Sequence, residues 1–144
     1  MLFTFRLDRV NTAFTDFFTV GHVLFGYIGY LIGYIIILAM YSGNLALAVG
    51  MGIVISITVG LVWEFFENFY LFRKGLKFGK RKDSLANSLT DILFVELGAI
   101  IASILSVILT DFYLISIVII GCLLILEEVL KRITYKVSRK YEPK

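Results

Sequence analysis

Apolar and polar positions along this chain segregate into blocks as long as a membrane span. Residues 17–40 are apolar apart from His22, Thr19 and a few tyrosines, and residues 45–62 carry no charged side chain. At about 1.5 Å per residue, about 20 such residues cross a hydrocarbon core of roughly 30 Å. The pattern predicts a first span over 17–40, a polar turn at Tyr41-Ser42-Gly43-Asn44, and a second span from 45 to about 72. Arg73, Lys74, Lys77, Lys80, Arg81 and Lys82, with Gly75 and Gly79, mark 73–82 as a loop. A third span is expected over 84–109, entered through an amphipathic stretch from Asp83 to Asp91, with Glu96 deeper inside. Residues 110–113 turn the chain back into a fourth span over 114–130, followed by a basic tail at 131–144. Ahead of the first span, Phe3, Phe5, Leu7, Val10 and Phe14 mix with Arg6, Asp8, Arg9 and Asp16. That mixture predicts an interfacial amphipathic helix across 1–16.

Composition agrees with the pattern. Of 144 residues, 59% are hydrophobic, too many for a small soluble domain to cover with polar surface. The expected fold class is all-α, an integral membrane four-helix bundle forming one transmembrane domain. The lone Cys122 has no partner for an intrachain disulfide and reads as a small buried hydrophobe. The apolar run after the first charges is too long for a cleaved signal peptide, so the first span is expected to direct insertion. All 14 Lys and Arg lie before the first span, in the middle loop, or in the tail. The preference of these residues for cytoplasmic loops then places both termini in the cytoplasm. Beside membrane spans, such basic runs mark orientation and attraction to anionic lipid headgroups, and a nucleic-acid partner is not expected. Four short helices bury little surface, which leaves room for a homo-oligomer.

Helical spacing sorts the polar residues into stripes. In the second span Gly52, Ser56, Gly60, Glu64 and Asn68 follow one ridge, with Glu67 beside it. His22, Gly26, Gly29 and Gly33 form a stripe on the first span, where Gly29-x-x-x-Gly33 permits close helix contact. The third carries Asp83, Asn87, Asp91, Gly98 and Ala102. Small residues occupy one half of each stripe and hydrogen-bonding or ionisable residues the other. With spans alternating in direction, His22, Glu64, Glu67, Asp83, Asn87 and Asp91 are expected at similar depth, forming a pocket open to the cytoplasmic interface.

Ionisable residues at such depth are a functional-site signal, since insertion costs roughly 2.5–3.5 kcal/mol at mid-bilayer. Four clustered carboxylates need compensation. A divalent cation such as Mg²⁺ or Mn²⁺, held by Glu64, Glu67, Asp83 and Asp91, is one answer. Arg81 and Lys82 are a second, and proton sharing is a third. Zinc fits less well, with one histidine and a remote cysteine. Plainer roles stand beside these: His22 bonding backbone or headgroup, Asp83 capping the third helix, Glu127 and Glu128 pairing with Lys131 and Arg132, and Trp63 and the tyrosines facing lipid or interface. Glu96 lies off the Asp91 ridge and outside the expected core site.

The run W-E-F-F-E-N at 63–68, the basic loop, D-S-L-A-N-S-L-T-D at 83–91 and Gly98 together resemble a group of uncharacterised prokaryotic small membrane proteins. More distantly they are similar to the VanZ-like and YjdF-like membrane families, which show an acidic pair closing one span and an Asp or Asn pattern opening the next. The likeness covers roughly residues 20–105. Where VanZ-like sequences often carry Gln, this chain has Glu67. The resemblance implies a prokaryotic cell-membrane protein, linked in the VanZ case with glycopeptide resistance, and treats Glu64, Glu67, Asn68, Asp83, Asn87 and Asp91 as one unit.

Two functions follow from these residues. One is a metal-assisted enzyme acting on a lipid or polyprenyl phosphate. There Glu64, Glu67, Asp83 and Asp91 hold a cation, and His22 or a carboxylate (Glu64, Glu67 or Asp91) does the proton chemistry. Arg81, Lys82, Asn68 and Asn87 secure the substrate. The other is a non-enzymatic membrane or lipid-binding accessory protein whose polar cluster holds the helices in register. Proton-coupled transport ranks behind both, because the carboxylates gather at one side and no inverted repeat is evident.

Overall fold

Each apolar run folds as one helix in the computed structural model, which describes residues 4–138. The helices are α1 (Phe18–Met40), α2 (Leu45–Phe65), α3 (Leu85–Ile108) and α4 (Phe112–Ser138). All four are long and apolar enough to cross a membrane, so the chain is an all-α, multi-pass membrane protein. Polar caps set two of the starts: the Asn44 side chain accepts from the Leu47 N–H, and Ser84 Oγ accepts from the Asn87 N–H. Ser84 therefore fills the capping position expected for Asp83, which leaves the Asp83 carboxylate available elsewhere. The second span extends beyond α2 through a π-helical turn at Phe66–Leu71. At the other end of the chain α4 runs to Ser138, so Lys131, Arg132 and Lys136 ride on a helix. The rest of the expected basic tail, 139–144, lies outside the described residues, as do residues 1–3.

The segment before α1 is not the amphipathic helix its composition predicts. Among its described residues, only Leu7–Arg9 forms a single 3-10 turn. Asn11 adopts a φ of +71°, a left-handed conformation that ends any helix there and that Asn tolerates better than most residues. Tertiary hydrogen bonds replace helical ones. The Asn11 amide donates to the Phe78 carbonyl at 2.7 Å, and the Ser84 N–H donates to the Asn11 carbonyl at 3.0 Å. The Leu7 N–H donates to Ser138 Oγ at 2.8 Å. These bonds bring the N-terminal segment, the basic loop, the start of α3 and the end of α4 to the same end of the bundle.

Helix α1 is the central element, packed against α2 and α3 along most of its length, with α4 resting mainly on α1. The buried residues of α2, namely Ala48, Gly52, Ser56, Gly60 and Glu64, recur every fourth position, as the ridge predicts. The tightest approach joins α1 to α3. A Cβ on Gly26 would sit 1.8 Å from the Val95 carbonyl oxygen, and one on Gly98 would sit 2.0 Å from that of Val23. By contrast, a Cβ on Gly29 would meet Ser56 at an ordinary 3.5 Å, so the Gly29 end of the G-x-x-x-G pair is not where the backbones touch.

The tyrosines of α1 also depart from expectation. Tyr27, Tyr30 and Tyr34 are buried in the bundle core, away from lipid. Tyr27 is hydrogen-bonded to Ser116 at 2.8 Å and Tyr30 to Ser106 at 2.7 Å, so α4 and α3 are each tied to α1 through a satisfied phenol. The small partners let the rings fit. Gly26→Ala and Gly98→Ala are expected to lower the thermal midpoint in detergent sharply, through a cost of about 1–3 kcal/mol or more from overpacking. Gly29→Ala should be close to neutral, and equal losses at all three positions would show that the α1–α3 contact is not the limiting one.

Candidate functional site

The polar halves of the three stripes converge at the end of the bundle that carries the N-terminal segment. His22 comes from the first turns of α1, Glu64 from the end of α2, Glu67 and Asn68 from the π-helical turn, and Asp83, Asn87 and Asp91 from the entry to α3. A π-turn adds a residue to the helical circuit and is frequent at functional sites. Here it carries Asn68, whose amide reaches back to the Glu64 carbonyl oxygen at 3.2 Å and to Glu64 Oε2 at 3.1 Å. His22, Glu64, Asn87 and Asp91 are all buried.

His22 bonds the backbone, as its plainer reading has it, and faces two carboxylates of the cluster. Its Nδ1 lies 3.0 Å from the Phe18 carbonyl oxygen, an acceptor, so Nδ1 bears the proton and donates. Nε2 then faces Glu64 Oε1 at 3.5 Å, while Asp91 Oδ1 is 3.4 Å from Nδ1, and both are ion pairs when the imidazole is protonated. A backbone acceptor that fixes the tautomer in this way is the usual support for a metal-binding imidazole. Neither contact has hydrogen-bond geometry. Glu64 Oε1 and Asp91 Oδ1, on side chains only 7% exposed, have no hydrogen-bond partner among the described residues. Ligand atoms of His22, Glu64 and Glu67 lie within 4.8 Å of one another, as do those of Glu64, Asp83 and Asp91.

The loop contributes a residue that its sequence position disguises. Lys77 is buried, and its ammonium ion-pairs with Asp83 and with Glu67, the latter at 3.2 Å, while donating to Asn68 Oδ1 at 3.2 Å. Asn68 Oδ1 also accepts the Asp83 backbone N–H at 3.0 Å. Arg81 and Lys82, the loop cations expected at the site, are exposed. The distinguishing signal was local. Lys77 sits between Leu76 and Phe78, and Phe78 packs edge-on against Phe17 and Phe18 at the start of α1, which draws Lys77 inward.

A cavity of about 260 Å³ opens beside this cluster. His22, Glu67, Asp83, Asn87 and Asp91 line it, together with Asn11, Asp16 and Glu127, which sequence reasoning left out. Phe18, Phe25 and Trp63 form an aromatic wall, so Trp63 faces the cavity as well as the exterior. Glu128 makes the expected i,i+4 pair with Arg132 at 2.8 Å, whereas Glu127 points to the cavity and abuts Gly21. Glu96 does not line the cavity and keeps one buried oxygen without a partner among the described residues. Asp16, ahead of α1, accepts the Asn11 and Phe18 N–H groups at 3.1 and 2.9 Å. Burial nonetheless pushes its carboxyl above the ordinary carboxylate range, opposed by those two bonds and by His22.

Two outcomes are expected. Lys77→Met leaves Asp83, Glu67 and Asn68 without their cation and should destabilise by about 3–5 kcal/mol, with Asp83→Asn in the same chain restoring part of the loss. Thermal unfolding of the single and double variants in detergent measures both. For Asp16, the native state binds the proton more readily than the unfolded chain. Its contribution to stability therefore falls as pH rises from the ordinary Asp pKa through the raised native one. The stability of Asp16→Asn relative to the parent should climb over that window, and a difference independent of pH would contradict it.

The match to known families spans this whole arrangement. A family described as a protein of unknown function (DUF2585) matches residues 5–138. No curated protein and no solved structure matches the chain. With nearly the full length covered, from the segment over the cavity to the end of α4, the chain belongs to the DUF2585 family.

Proposed function

We propose that this protein is a metal-assisted enzyme acting on a lipid or polyprenyl phosphate at headgroup depth, on the cytoplasmic side of a prokaryotic cell membrane, with both termini cytoplasmic. The observation that carries the reading is the pair of buried oxygens, Glu64 Oε1 and Asp91 Oδ1, left without hydrogen bonds around an oriented imidazole. Burying acceptors without partners is costly, and a cation is the ligand that four carboxylates and one imidazole suit. Mg²⁺ or Mn²⁺ fits this donor set, with Glu64, Glu67, Asp83 and Asp91 as ligands. Bound there, it would neutralise phosphate oxygens and activate water. A carboxylate outside the coordination sphere, or His22, takes the proton of the attacking water. Asn68 and Asn87 orient the headgroup, and Arg81 and Lys82 on the exposed loop attract its charge. The aromatic wall of Phe18, Phe25 and Trp63 suits the adjoining hydrocarbon. The likeness of the paired motifs to VanZ-like and YjdF-like proteins agrees with a prokaryotic membrane setting.

One observation favours a second reading. The Lys77, Asp83, Glu67 and Asn68 network is internally paired, as a cluster that only locks helices in register would be. Purified protein separates the two readings. Mn²⁺ should raise the thermal midpoint relative to EDTA, and Glu64→Gln and Asp91→Asn should each weaken Mn²⁺ binding at least tenfold and abolish release of phosphate from a polyprenyl phosphate. Full affinity and turnover in both variants would sink the enzymatic reading, and a midpoint indifferent to metal would support the structural one.

A further inference from the structure

The acidic site contains not one potential ligand set but two. His22, Glu64 and Glu67 form the first, Glu64, Asp83 and Asp91 the second, and Glu64 belongs to both. We propose that the site holds two divalent cations bridged by the Glu64 carboxylate, an inference that rests on the metal reading above and extends it to the two-cation class of phosphate chemistry.

Three independent features support a pair. The first is reach. Opposed oxygens around an octahedral Mg²⁺ lie about 4.2 Å apart, twice a bond of about 2.1 Å. Each set spans no more than 4.8 Å, so closing either around a cation requires movement of less than about an ångström. The second is the disposition of the buried oxygens. Asn68 holds Glu64 Oε2 at 3.1 Å and so orients the carboxylate, while Oε1 has no hydrogen bond and faces His22. Asp91, whose Oδ1 is equally without one, belongs to the second set alone. Each set thus has residues of its own: His22 and Glu67 in the first, Asp83 and Asp91 in the second. Neither set joins His22 to Asp83 or Asp91.

The third is charge. Asp16, Glu67, Asp83, Asp91 and Glu127 line the cavity, Glu64 joins them through both ligand sets, and the Lys77 ammonium pairs with Glu67 and Asp83. Lys77 touches Glu67 from the first set and Asp83 from the second, standing between them as a monovalent counter-ion that either cation would partly displace. Paired cations about 3.5–4 Å apart clamp the attacking and leaving oxygens of an in-line displacement at phosphorus. That arrangement admits a phosphate ester whose phosphate enters the cavity and whose apolar chain follows the aromatic wall.

The test is titration of the chelator-stripped, full-length protein in detergent with Mn²⁺, read by bound-metal stoichiometry and by electron paramagnetic resonance. Two Mn²⁺ per chain are expected, with the exchange-broadened spectrum of a coupled pair. Glu67→Gln and Asp91→Asn should each retain one Mn²⁺ with an uncoupled six-line spectrum, and Glu64→Gln should lose the pair. Should Glu64→Gln fail to fold, the other two variants carry the test. One uncoupled Mn²⁺ per parent chain would overturn the pairing and leave the single-metal reading standing. No bound Mn²⁺ at all would overturn both.

Discussion

The backbone contact between α1 and α3 sets the geometry on which the rest depends. With a carbonyl oxygen where the Cβ of Gly26 would lie, and another at Gly98, the two helices approach as closely as peptide groups allow. Side chains on a helix lean toward its N-terminus, so one turn before this contact His22 and Asp91 are carried toward each other. Their 3.4 Å separation follows from a packing constraint deeper in the bundle. Ser56 fixes α2 to the same level by donating to the Gly26 carbonyl at 3.0 Å, and Gly60 gives way to Val95. Glu64, one turn beyond Gly60, then completes the cluster.

Close packing positions the acids but does not neutralise them, and the loop performs that task. Phe78 is held by ring contacts to Phe17, Phe18 and, at 6.4 Å, Tyr135 of α4, while its carbonyl accepts from Asn11. The anchored neighbour places Lys77 beneath the N-terminal segment. Asn68 links the two layers, bonding Glu64 on one side and Lys77 with the Asp83 backbone on the other. A change at the loop anchor would therefore reach Glu64 through Asn68.

Much of this was legible in the sequence because span length and fourfold spacing are properties of the helix itself. The ridge from Gly52 to Glu64 and the convergence of His22, Glu64, Glu67, Asp83, Asn87 and Asp91 needed only periodicity and alternating direction. The residues that escaped are those placed by tertiary contacts. Lys77 was one cation among six in a loop until Phe78 found its aromatic partners. The helix expected over residues 1–16 failed because its amphipathic composition says nothing about Asn11 turning left-handed to bond the loop. Composition alone points Tyr27, Tyr30 and Tyr34 to lipid or interface, whereas serines on α3 and α4 provide acceptors inside the bundle. Asp83 lost its capping role to Ser84, one residue along, a difference within the ordinary uncertainty of helix ends.

The uneven satisfaction of the cluster separates its two halves. Around Lys77, hydrogen bonds and ion pairs tie together Glu67, Asn68 and Asp83, as a network selected for rigidity does. Around His22, the imidazole is fixed by the Phe18 carbonyl, yet Glu64 Oε1 and Asp91 Oδ1 stop short of it. A fold that needed this half only for register could replace the two acids by Gln and Asn, or by apolar residues, and lose the desolvation cost. Keeping both carboxylates buried beside a cavity, with acceptor capacity in reserve, places the unmet cost where a cation from outside the chain would offset it. The paired half stiffens the same end of the bundle through Asn68, which bonds both Lys77 and Glu64.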